Sequence, residues 1–101
     1  MEPQEVSHYL QLAAALRRQW RVNATIQTLE RAAQGPGQKT ALVYFQLAIA
    51  YRERGDYADS VACMRRAMGC PDAGPLVHDA NGLLAHWLEL PEAPRRMAVN
   101  S

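Results

Sequence analysis

The sequence predicts an all-α domain made of a duplicated helical hairpin and one closing helix. Three observations predict it. Apolar residues recur three and four apart in five segments, the spacing of one helix face. No segment shows the two-residue alternation of a half-buried strand. Residues of matching type also recur at a constant offset of 35 positions across two helices and a loop.

The first segment, residues 6–20, places Tyr9, Leu12, Ala13, Leu16 and Trp20 on one face. Pro3, Glu2 and Glu5 stand at its start, where a fixed φ and negative charge suit a helix N-terminus. Residues 22–34 form the second, with Asn23 as the N-cap and Ile26, Leu29 and Ala33 inward. Gly35-Pro36-Gly37 stops it. The third, 41–53, turns Tyr44, Leu47, Ala48 and Tyr51 to the core. A tight turn at Gly55-Asp56 leads into the fourth, 57–68, with Tyr57, Val61, Met64 and Met68 on one side. Gly69, Pro71, Gly74 and Pro75 break the chain again. The fifth segment, 76–90, lines Leu76, Ala80, Leu83, Leu84, Trp87 and Leu88 on one side, and Pro91 ends it. The tail, 91–101, is short and helical around Arg95–Val99 or frayed.

The offset pairs Tyr9-x2-Leu12-Ala13-x2-Leu16 with Tyr44-x2-Leu47-Ala48-x2-Tyr51, and Thr25-x3-Leu29 with Ser60-x3-Met64. Ala32 pairs with Ala67 and Pro36 with Pro71. This pattern resembles the tetratricopeptide repeat, a helix–turn–helix of about 34 residues with W-x2-L-G-x2-Y, A-x3-F and Pro positions. The second unit matches more closely. In the first, Trp20-Arg21-Val22 replaces the glycine-containing turn and Leu16 replaces an aromatic. The resemblance implies repeat 1 at 6–36, repeat 2 at 41–71 and a capping helix at 76–90, in a right-handed superhelical stack. For the fifth helix a 36-residue step aligns Ala80, Leu83, Leu84 and Trp87 with the buried face of repeat 2; a 34-residue step would bury Asn81 instead. The first is expected, because an unpartnered buried amide is costly.

Length and composition limit the function. A chain of 101 residues is expected to be one domain, and 49% hydrophobic content argues against wholesale disorder. A net charge of +1 argues against a broad nucleic-acid surface. The most apolar stretch, 41–51, is interrupted by Gln46 and far short of the ~20 residues of a membrane span. No targeting segment is expected, and two cysteines are too few for a disulfide scaffold, so a cytoplasmic setting follows.

Chemistry-bearing residues are sparse. His78 and His86 lie eight apart, near Asp79 and Cys70, without the i, i+4 pair or Cys-x2-Cys spacing of a metal site. Cys63 is expected to pack, and Cys70 to be loop-exposed and reactive. Glu53, Asp56 and Asp59 are expected to cap the fourth helix and balance Arg52 and Arg54. No catalytic residue, metal or cofactor is expected.

What remains is surface. The resemblance implies a concave groove lined by the first helix of each pair. That row is Ser7, Leu10, Ala14 and Arg17, then Leu42, Phe45, Ile49 and Arg52, continued by His78, Asn81, Ala85 and Leu88. The Lys, Asn and Arg residues with which some members hold acidic chaperone tails are replaced here by Leu10, Ala14, Phe45 and Gln46. An apolar strip beside Arg17 and Arg52 suits an amphipathic helix or apolar peptide carrying some acid. The expected function is therefore a non-enzymatic protein-interaction module. The alternatives are a small chaperone for an aggregation-prone client, and a scaffold that self-associates into a homodimer through Leu83, Trp87 and Leu88.

Overall fold

A computed structural model describes residues 3–89, with side chains from Glu5 onward. The expectations for Pro91 and the tail lie outside these residues. Five α-helices follow in order: α1 Pro3–Arg18, α2 Val22–Gln34, α3 Ala41–Arg54, α4 Tyr57–Met68 and α5 Val77–Glu89. A 3-10 turn, Gly74–Leu76, leads into α5. There is no strand among the described residues.

Each helix packs chiefly on its neighbours in the chain: α1 on α2, α2 on α3, α3 on α4 and α4 on α5. The molecule is accordingly long, 51 × 28 × 20 Å. Two apolar clusters run along it. Ala13, Ile26, Leu29, Ala32, Val43, Tyr44, Leu47, Ala50 and Ala67 form one. Ala48, Met64, Ala80, Leu84 and Trp87 form the other. Phe45 and Cys63 pack against both and join them.

The 35-residue offset is visible in three dimensions. Ala13 and Ala48 are both buried, as are Leu29 and Met64, and Ala32 and Ala67. Thr25 and Ser60 are buried polar counterparts. Their hydroxyls are satisfied locally, Thr25 Oγ1 donating to the Arg21 carbonyl at 2.8 Å and Ser60 Oγ to that of Tyr57 at 2.7 Å. The inter-helix turns also match. Gly55 N–H donates to the Arg52 carbonyl at 3.1 Å and Asp56 N–H to that of Tyr51 at 2.9 Å. The positions 35 residues earlier make the same bonds: Trp20 N–H donates to the Arg17 carbonyl at 2.9 Å and Arg21 N–H to that of Leu16 at 3.0 Å. Both are Schellman endings, which need a left-handed residue. Gly55 has φ 93° and Trp20 has φ 61°. Glycine adopts this region without penalty; tryptophan does not.

Burial in α5 follows the 36-residue alignment, with Ala80, Leu84 and Trp87 buried and Asn81 exposed. In α1 the expected face is only partly covered. Ala13 is 3% exposed, but Leu12 is 45% and Trp20 87% exposed. The reason is position: α1 has α2 as its chief neighbour, and Trp20 lies beyond the end of the helix.

Helix ends depart from the expected caps. Asn23 lies inside α2, and its Oδ1 accepts from Arg54 Nη1 at 2.9 Å instead of capping. Asp56 precedes α4 without a side-chain cap bond, since its carboxylate pairs with Arg54 at 2.6 Å. Thr40 likewise leaves α3 without a side-chain cap. Asp72 from the loop after α4 fills that role, its Oδ1 accepting from Ala41 N–H at 2.8 Å. Gly37 is the close-packed glycine of the loop between α2 and α3: a Cβ there would stand 2.7 Å from Val43 Cγ2 and 3.0 Å from the Ala32 carbonyl.

Candidate functional site

The row of α1, α3 and α5 is left open between its members. One hollow of about 670 Å³ lies between α1 and α3 and is lined by Ala14, Arg17, Gln46 and Glu53, with Trp20 and Val22 at the turn end. A second, about 440 Å³, lies between α3 and α5 and is lined by Phe45, His78, Asp79, Gly82 and Leu83. Helix α3 is thus flanked by a hollow on each side.

Leu10, Leu42, Phe45 and Ile49 are all half-buried. Leu10 rests on the first cluster, Ile49 on the second and Phe45 on both, so these residues support the core with one side and reach solvent with the other. Ala14 is exposed in the first hollow. The four residues of the expected strip are half-covered and none is fully free.

The two arginines beside it differ. Arg17 Nη2 donates to Glu53 Oε2 at 2.7 Å, joining α1 to α3, with both side chains roughly two-fifths exposed. Its charge is already answered, as is that of Glu53, which was expected to balance Arg52 or Arg54. The Arg52 guanidinium lies 4.7 Å from the Tyr57 ring centre and 5.0 Å from that of Trp87. Its Nη1 is buried with no hydrogen-bond partner. Cation–π contact offsets part of the cost of withdrawing a guanidinium from water, but it satisfies no N–H.

The residues expected for self-association differ in exposure. Trp87 is 8% exposed and belongs to the second cluster, Leu83 is half-buried, and Leu88 is 59% exposed. The indole packs with Met64 and Ala80.

Of the two cysteines, Cys63 packs as expected, while Cys70 is less exposed than its loop position implies. Cys70 is half-buried, and burial followed by the nearby Asp72 carboxylate raises its thiol above the usual range; its Sγ points to the Arg66 carbonyl at 3.5 Å. Cys63 is pushed up to about 11 by burial, with Asp59 adding to the effect. Among the described residues no three of His, Cys, Asp and Glu come together as a metal site would need. Nor is any helix there long and apolar enough to cross a membrane.

Trp20 is the site residue that sequence reasoning did not single out. The signal was present, because the offset sets it opposite Gly55, where the turn calls for glycine. No protein-family model, curated protein or solved structure matches this chain.

Proposed function

We propose that this chain is a non-enzymatic protein-interaction module of the tetratricopeptide kind, two helix–turn–helix units closed by α5 in a right-handed superhelical stack. It binds an apolar or amphipathic segment of another protein along α1, α3 and α5, in a cytoplasmic setting that suits its free thiols. The observation that carries the reading is the pair of hollows on either side of α3, with Phe45 between the two apolar clusters and open to one hollow. Leu10, Leu42 and Ile49 extend the apolar contact on that row, and Ala14 leaves room for it.

Arg52 supplies polar selectivity. Arg17 is occupied by Glu53, whereas Arg52 keeps a guanidinium N–H without a partner beside Tyr57 and Trp87. The buried Nη1 is out of a ligand's reach, so a carboxylate on the bound segment is drawn by the charge of the half-buried Arg52 side chain and not by that atom. The bound segment is therefore apolar with an acidic residue near the Arg52 end.

The test is capture from native extract with wild-type protein, Phe45→Glu and Ala14→Glu in parallel. The expected result is one stoichiometric protein retained by wild type and lost both from Phe45→Glu and from Ala14→Glu, the second at an exposed position of the first hollow where the fold does not depend on the side chain. Equal retention by Ala14→Glu or by a folded Phe45→Glu would remove the groove from the account.

A further inference from the structure

The turn between α1 and α2 holds a residue that does not help the chain fold. Trp20 takes the left-handed conformation at φ 61° and leaves its side chain 87% exposed. Its counterpart, Gly55, makes the same pair of backbone bonds at φ 93° without steric conflict. An indole in water returns no burial for the strain of its backbone, and strained residues concentrate where a function holds them.

The indole borders the hollow between α1 and α3, with Ala14, Val22 and Gln46 also in the lining. Charge around it is one-sided. Arg18 and Arg21 are exposed in the residues flanking Trp20, while Arg17 is paired with Glu53. Three arginines against one glutamate leave this corner two charges positive.

We infer that the Trp20 corner docks an acidic peptide segment of another protein. The peptide lays an apolar side chain on the indole and sets its carboxylates against Arg18 and Arg21. Tryptophan and arginine are the residue types that dominate protein interfaces, and complementary charge adds encounter rate and selectivity. The site is concave and offers the Gln46 amide and the Arg17–Glu53 pair, groups suited to a peptide backbone. A flat lipid surface would meet the indole and leave them unused. The inference deepens the proposed groove, since Ala14 belongs to both, and it adds a second acid-binding point away from Arg52.

The test selects random displayed peptides of about twelve residues against the whole chain, enough to span the ~20–30 Å of such a contact. The enriched sequences are then synthesised and titrated by fluorescence anisotropy. Enrichment of peptides with two or more carboxylates near Leu, Phe or Pro is expected. Their affinity should fall at least about tenfold in Trp20→Gly and in the Arg18→Glu/Arg21→Glu double variant, the loss typical of an interface anchor. It should also weaken as salt rises. Trp20→Gly should melt no lower than wild type, which separates lost binding from lost folding. Failure to enrich any peptide, enrichment of neutral peptides, or equal affinity for Trp20→Gly overturns the inference. So does Trp20-dependent binding to phosphatidylserine vesicles with no peptide enriched, or a Trp20-dependent dimer in sedimentation. Phe45→Glu provides the separating arm. Peptides lost by Phe45→Glu and kept by Trp20→Gly leave the groove standing without this corner, and the reverse leaves the corner without the groove.

Discussion

Leu47 is 3% exposed, and Leu12, its counterpart 35 positions earlier, is 45% exposed. Tyr44 is buried, with its hydroxyl donating to the Gln38 carbonyl at 2.7 Å and Arg66 4.9 Å from its ring centre. Tyr9 in the first unit is only half-buried. The second hairpin has α2 on one side and α5 on the other, whereas α1 has α2 alone as its chief neighbour. The same local pattern thus carries different weight according to what stands beside it. The unit with neighbours on both sides is the core, and the terminal unit has exposed side chains that folding does not use.

That contrast is broken most severely at its buried leucine. Leu47→Ala should cost about 2–5 kcal/mol, the range for a truncated core leucine. Leu12→Ala should cost no more than about 0.5 kcal/mol, as for a surface change. Urea unfolding of the two variants measures the difference, and equal losses would mean that α1 is covered as fully as α3.

The turns give a smaller effect with opposite signs. Gly55→Ala should lose about 1–2 kcal/mol, because a Cβ is strained at φ 93°. Trp20→Gly should gain roughly 0.5–1 kcal/mol, the relief of strain being partly offset by the freer unfolded chain. Thermal melts of both decide it.

A third difference is chemical. Tyr51 donates its hydroxyl to Glu30 Oε2, whereas Leu16 at the matching place has no such group. Burial, then the hydrogen bond to Glu30, raises the Tyr51 phenol above its ordinary 10.0. In the unfolded chain it ionises near that ordinary value. The stabilisation is therefore complete below pH 10 and is lost progressively as the pH rises above it. Tyr51→Phe should cost about 1 kcal/mol at neutral pH and flatten the alkaline fall in stability, read from unfolding curves at stepped pH.

Helix positions were legible because periodicity reports which face is apolar, and the α5 alignment was legible because burying Asn81 is expensive. What lay beyond the sequence depends on partners from other helices. Arg17 is answered by Glu53, 36 residues away, and Asn23 is drawn from capping by Arg54, 31 residues away. The cap of α3 arrives from Asp72 in a later loop. Trp87 had two expected places, the buried face of the fifth helix and a self-association surface, and its packing with Met64 and Ala80 follows the first. Trp20 was the opposite case: its helical spacing suggested burial, but α1 ends two residues before it.

The central claim is that α1, α3 and α5 present the binding face. Amide chemical-shift mapping of the labelled chain with its captured partner tests it most directly. The predicted result is a continuous set of shifts at Ala14, Gln46, Phe45, Ile49, Arg52 and Gly82, with the outer positions Arg31 and Arg65 unmoved. Shifts concentrated on α2 and α4, with Phe45 and Ile49 silent, would contradict it.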